Sequence, residues 1–174
     1  GGDLPRLALY SVDTDATVAT TLPVEGNAVQ TNTGVSLGTV TLAEGAVVGT
    51  ITEQVGDKDI NLANVKITVA TNDFQVEKIV LYNSGSAATT DFADLELRYN
   101  NNKVASGVMS GKYLTFNLSA CTEDCKIGKG KNKTYEVYGD IVSGSARTMD
   151  LDVKQASDVL AKDLKHGYYA TPTN

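Results

Sequence analysis

The stretch Asn64–Asn83, NVKITVATNDFQVEKIVLYN, decides the fold class. Its apolar side chains recur at alternate positions, as they do in a strand that buries one face. The pattern predicts two β-strands, Asn64–Ala70 and Gln75–Asn83, with their apolar faces offset from one another. The apolar residues that set these faces are Val65, Ile67 and Val69 in the first strand and Val76, Ile79 and Leu81 in the second.

Strand patterns continue on both sides of this stretch, at the short and regular spacing of an all-β domain. The further predicted strands are Val35–Leu42, Ala46–Thr52, Asp94–Tyr99, Lys103–Val108, Lys112–Leu118, Thr134–Ile141 and Arg147–Val153. The composition agrees, since the chain of 174 residues holds 20 Thr and 19 Val, which favour strands, and 16 Gly and 12 Asn, which favour turns.

Only Ala156–Leu164 has a helical spacing of apolar residues, and it fits a single helical turn or a connecting loop equally well. No helix long enough to connect parallel strands is predicted, so a parallel sheet is excluded. The sequence therefore predicts an all-β protein, an antiparallel β-sandwich in which two sheets pack face to face with Greek-key connections.

Four segments within Val65–Phe116 carry a resemblance to a known family: VKITVA, VEKIVLYNSGSA, DFADLELRY and GKYLTF. Together with the strands that follow, they resemble the Ig-like β-sandwich domains of large bacterial cell-surface and S-layer-like proteins. The resemblance covers about two thirds of the chain. It implies an all-β, Ig-like antiparallel β-sandwich with a structural or adhesive role, and it brings no catalytic residues with it.

About the first 30 residues lie outside the resemblance. We divide the chain into an extended N-terminal segment, 1–34, and a β-sandwich domain, 35–174. The segment is poor in charge and has alternating apolar residues, which suit a strand donated to the open sheet edge of another copy. The alternative is that it pairs within its own subunit as ordinary first strands. The residues expected to enter the neighbouring subunit are Leu7, Leu9, Val18, Leu22 and Val24.

The two cysteines lie close together, as Cys121-Thr-Glu-Asp-Cys125. Two cysteines cannot supply the four ligands of a structural zinc site, and a redox dithiol normally has two intervening residues rather than three. We therefore expect a disulfide that closes a small loop, which in turn predicts an oxidising compartment. The alternative is a pair of free thiols in a reducing cytosol.

Charge and motifs exclude several classes of function. The net charge of −6 argues against a partner bound through nucleic-acid phosphates, and no apolar run reaches the length of a membrane span. The single histidine, His166, lacks the motifs of hydrolases, and the small share of aromatic residues, with no Trp, argues against a glycosidase groove and weakens the case for a carbohydrate-binding module. Asp-x-Asp pairs at 13/15, 57/59 and 150/152 are candidate Ca²⁺ ligands without an EF-hand pattern. We expect no enzyme activity, no cofactor and no small-molecule ligand.

These observations predict a secreted, extracellular or cell-surface protein whose partners are copies of itself. Its expected function is that of a non-enzymatic structural subunit of an extracellular filament or surface layer. The alternative is an adhesin or a carbohydrate-binding module within a larger surface protein.

Overall fold

A computed structural model describes residues 8–9, 24–25, 37–46 and 51–173 of the chain. The chain divides into two compact units, Gly1–Ser36 and Leu37–Asn174, and the second is called the barrel domain below. In the first unit, β1 (Ala8–Leu9) pairs in antiparallel fashion with β2 (Val24–Glu25), so that Leu9 lies opposite Val24.

The described part of the barrel domain consists of strands and three short 3₁₀ turns, at Thr89–Asp91, Glu123–Cys125 and Ala156–Asp158. Its strands are β3 (Thr39–Glu44), β4 (Ile60–Ala70), β5 (Phe74–Asn83), β6 (Phe92–Tyr99), β7 (Asn102–Ser110), β8 (Tyr113–Asn117), β9 (Lys126–Ile127), β10 (Asn132–Ile141), β11 (Leu151–Asp152), β12 (Val159–Asp163) and β13 (Tyr169–Ala170). The all-β, antiparallel prediction is confirmed.

The strands follow one another in the order β13-β12-β5-β8-β7-β6-β10-β4-β3, with β9 and β11 also paired to β5. Strand β7 belongs to both halves of this path, because its first part pairs with β6 and its second part with β8. Gly107 lies at the change of partner, where an added Cβ would come within 2.7 Å of the Phe116 ring and 2.8 Å of Leu114. A side chain at this point would therefore disturb the core.

The two ends of the strand path are bridged by the C-terminal tail. Thr173 forms an isolated parallel bridge with Thr41: its N–H donates to Val40 O at 2.9 Å, and its carbonyl accepts from Leu42 N at 2.7 Å. The strands therefore form a near-barrel, and the Ig-like form of the predicted sandwich stays a prediction.

The interior is filled by the inward face of each strand, which gives one hydrophobic core. The side chains of Val65, Ile67 and Val69, which stand at alternate positions in the sequence, are all buried, as expected for one face of β4. The largest fully buried side chains are Tyr135, Phe74, Phe116, Ile67, Ile79, Leu81, Leu97, Leu114, Leu118 and Ile127.

Candidate functional site

A groove opens at one end of the barrel domain, between the end of β3, the start of β4 and the stretch that carries β11. Its volume is about 920 Å³. Among the described strands, β11 pairs only with β5, and β3 pairs only with β4 apart from the bridge to Thr173. The two strands that flank the groove are therefore not joined to one another within the described part of the sheet.

The floor of the groove is apolar and its rim is acidic, and we call it the acidic groove. Half-buried side chains packed against the core form the floor: Leu62, Phe92, Met149 and Leu151. Exposed carboxylates stand at the rim: Glu44, Glu53, Asp150 and Asp152. Two further apolar side chains of the lining, Ile51 and Val55, are 46% and 52% exposed. Exposed apolar surface inside a polar rim is typical of an interaction site.

Asp91 holds one wall of the acidic groove in place. Its carboxylate accepts hydrogen bonds from Ala88 N at 2.7 Å, Ser143 Oγ at 2.7 Å and Arg147 Nη1 at 2.8 Å. These donors keep the pKa of Asp91 below its ordinary value, although burial acts in the opposite direction. Gly144 has a φ of +90°, and an added Cβ would lie 2.6 Å from Cγ of Asp91. This wall is therefore fixed by an anionic carboxylate and a glycine that packs directly on it.

A second feature lies at the opposite end of the barrel domain, in the turns that follow β4 and β12 and precede β10. A depression of about 370 Å³ is lined there by Asp73, Lys129, Leu164 and Lys165, together with Thr71 and Asn72. We call this surface the basic end. Leu164 is 46% exposed, and the charged lining residues are two exposed lysines, Lys129 and Lys165, and one exposed carboxylate, Asp73.

Buried Asp163 fixes the turn that carries Leu164. Its carboxylate accepts hydrogen bonds from Asn72 Nδ2 at 2.6 Å, Lys165 N at 2.8 Å and His166 N at 2.9 Å. Burial raises the pKa of Asp163, but these donors outweigh it, and the net shift is downward. Leu164 N donates to Asp73 O at 2.9 Å, so the turn is attached to the neighbouring loop as well.

The predicted disulfide residues lie at bonding distance. The Sγ atoms of Cys121 and Cys125 are 2.05 Å apart, in a loop that contains a 3₁₀ turn. The Tyr135 hydroxyl donates to Asp124 O within this loop at 3.0 Å, and burial raises the pKa of that hydroxyl. The loop is thus connected to β10 in the core.

Of the predicted donor-strand residues, Leu9 and Val24 have a described backbone, and they lie opposite each other in the β1–β2 pair. Leu7, Val18 and Leu22 lie outside the described residues, as does the acidic pair at 13/15. The structure thus brings two of the five residues together by main-chain pairing within one chain.

The remaining acidic pairs make contacts of their own. Asp57 Oδ2 accepts from Gln54 N at 2.7 Å, whereas Asp59 pairs with Arg98. Ser84 Oγ lies 2.9 Å from Asp150 Oδ2 and 3.3 Å from Asp152 Oδ2, so its single O–H can donate to either carboxylate. Within residues 37–46 and 51–173, no group of three or more His, Cys, Asp or Glu side chains is placed to hold a metal ion.

Sequence reasoning did not identify the residues that shape the acidic groove and the basic end. Asp91 and Asp163 stand among ordinary acidic residues, and nothing in the local pattern marks them as buried. The exposed Leu164 belongs to the ambiguous stretch Ala156–Leu164, which forms a 3₁₀ turn followed by β12.

No protein-family model, curated protein or solved structure matches this chain. Among the described residues, no helix is long and apolar enough to cross a membrane.

Proposed function

We propose that this protein is a non-enzymatic structural subunit of an extracellular assembly, in which copies of the chain bind one another. The observation that carries the proposal is the acidic groove, whose flanking strands β3 and β11 are not joined within the described sheet. Unpaired strand edges beside exposed apolar side chains are surfaces that a partner normally covers. The cysteine pair at bonding distance supports an oxidising, extracellular location.

The N-terminal segment is a candidate for one of the contacts between copies. Strands β1 and β2 pair with each other through the main-chain groups along one edge of each strand. A strand donated to a neighbouring copy would likewise pair through the main-chain groups along one of its edges. Deleting residues 1–24 tests this contact, because a donated strand predicts that the remaining chain folds but no longer forms ordered polymers. A deletion variant that forms the same polymers as the full chain excludes strand donation.

The proposed function is tested on the full chain by size-exclusion chromatography and negative-stain microscopy. Ordered polymers or lattices are the expected result. A strict monomer at every concentration contradicts a structural subunit.

A second candidate function, a carbohydrate-binding module, is favoured by one aromatic cluster. The rings of Tyr82 and Tyr113 lie 5.2 Å apart in an edge-to-face arrangement, and Lys154 Nζ lies 4.0 Å from the centre of the Tyr82 ring. Tyr113 is 41% exposed, so one ring is accessible to a sugar. Binding of the monomer to a glycan array, lost in Tyr113→Ala and kept in Tyr169→Ala, would support this function over the first.

A further inference from the structure

We propose that the barrel domain binds a second copy of itself head to tail, with the basic end of one copy packed against the acidic groove of the next. The inference rests on the proposed function and specifies which surfaces of the subunit meet. It is carried by the opposite charge of two surfaces at opposite ends of the same strand, and by the exposed apolar side chains that each of them holds.

The acidic groove offers an apolar floor with carboxylates around it. Leu62, Phe92 and Leu151 are half-buried at its base, while Glu44 and Glu53 are exposed at its edge. The one basic side chain among the described lining residues, Arg147, is already bonded to Asp91. The rim therefore attracts a positively charged partner that also carries an apolar group.

The basic end presents this combination. Exposed Leu164 lines the depression together with two exposed lysines, Lys129 and Lys165, against one exposed carboxylate, Asp73. Neither lysine forms an ion pair with another described residue. Because the carboxylate of Asp163 accepts hydrogen bonds from Lys165 N and His166 N, the backbone of the turn that carries Leu164 is ordered before binding, and less backbone freedom is lost on docking.

The two surfaces lie at opposite ends of β4. Ile60 and Asn64, in the first half of the strand, line the acidic groove, and Thr71, just after its end, lines the basic end. Eleven residues in a strand span roughly 35 Å. One copy can therefore use both surfaces at once, each with a different neighbour.

A contact between two different surfaces adds copies in one direction and produces an open chain unless the rotation closes a ring. The symmetric alternatives are disfavoured by charge, since a groove facing a groove places carboxylates opposite carboxylates. Burial of Leu164 supplies the apolar part of the contact, and the lysines fix its orientation. The attraction between the lysines of one copy and the carboxylates of the next weakens as the salt concentration rises.

Charge reversal with complementation tests the proposal on the full chain. The variant E44K/E53K makes the groove basic, and the variant K129E/K165E makes the opposite end acidic. In sedimentation velocity, each variant alone should remain a monomer at concentrations where the wild-type chain associates. A 1:1 mixture of the two should associate again, because each variant then provides the partner that the other needs.

Two matched controls separate the contact from general effects. The variant K66E/K78E changes the net charge as much as K129E/K165E does, but at residues inside β4 and β5 that line neither surface, and should associate like the wild-type chain. Leu164→Ser should abolish association, whereas Val108→Ser, at a residue 67% exposed on β7, should leave it unchanged. Thermal unfolding of each variant identifies any loss of fold.

The outcomes distinguish this contact from the wider function. If both reversal variants associate as the wild-type chain does, or if the mixture stays monomeric, head-to-tail docking is wrong while a structural role stands. If deletion of residues 1–24 abolishes association and charge reversal does not, the N-terminal segment is the occupant and docking is again wrong. A wild-type chain that never associates overturns both proposals.

Discussion

Removing the Asp163 carboxylate should destabilise the barrel domain, because this group is fully buried and accepts three hydrogen bonds. In Asp163→Ala, the amide of buried Asn72 loses its acceptor, and leaving a buried polar group without a partner costs about 1–3 kcal/mol. Lys165 and His166 are exposed, so water can replace the acceptor of their N–H groups. We expect a loss of about 2–3 kcal/mol in the free energy of unfolding.

The same carboxylate predicts how stability depends on pH. Its pKa in the folded protein is lowered from 3.8, so its ionised form stabilises the fold above that value. The contribution is lost as pH falls below 3.8 and through the lowered pKa of the folded state. In Asp163→Asn the titrating group is absent, so the stability gap between this variant and the wild-type chain should shrink in acid.

Urea unfolding followed by circular dichroism measures both effects, at pH 7 and at a series of acidic pH values. Asp152→Asn is the control, because that carboxylate is exposed on β11 and should change the midpoint little. The reasoning is refuted if Asp163→Ala unfolds at the wild-type urea concentration. It is also refuted if the gap between wild type and Asp163→Asn stays constant as pH falls.

Three further predictions concern the core, the groove wall and the disulfide. Phe116→Ala removes a fully buried ring and should cost about 3–5 kcal/mol in urea unfolding, and a loss below about 1 kcal/mol would contradict the packing described. Gly144→Ala should lower the melting temperature more than Gly111→Ala, because both glycines have positive φ but only Gly144 packs on a carboxylate; equal effects would argue against that contact. Mass spectrometry of unreduced peptides should find no alkylatable thiol at Cys121 or Cys125, and their replacement by serine should cost about 2 kcal/mol for so short a loop. Two alkylatable thiols would exclude the bond.

The strands with clear alternation could be predicted from the sequence, because a strand that buries one face has apolar residues at every second position. The prediction Gln75–Asn83 corresponds to β5 at Phe74–Asn83, and Thr134–Ile141 to β10 at Asn132–Ile141. Of the predicted strand Arg147–Val153, only Leu151–Asp152 forms β11. The residues before it make irregular contacts instead, such as the hydrogen bonds from Ala87 N to Thr148 O and from Arg147 to the carboxylate of Asp91.

The ambiguity at Ala156–Leu164 arose from one buried charge. The inward residues of β12 are Val159, Ala161 and Asp163, and the aspartate at the third position hides the alternation. Its burial depends on Asn72, which lies 91 residues away in sequence. A local pattern contains no information on such a partner.

The acidic groove could not be predicted from the sequence, for a similar reason. The acidic groove is formed by residues between positions 44 and 152, which pairing across the sheet brings together. Closure of the near-barrel likewise depends on Thr173 meeting β3, and the change of partners within β7 depends on Gly107. Each is a long-range consequence of strand order, which periodicity alone does not determine.

Sedimentation velocity of the full chain over a range of concentrations tests most directly the claim that this protein is a self-assembling structural subunit. We predict species heavier than the 18.3 kDa monomer that grow with concentration and diminish at high salt. A single species of 18.3 kDa at every concentration and salt condition would contradict the claim.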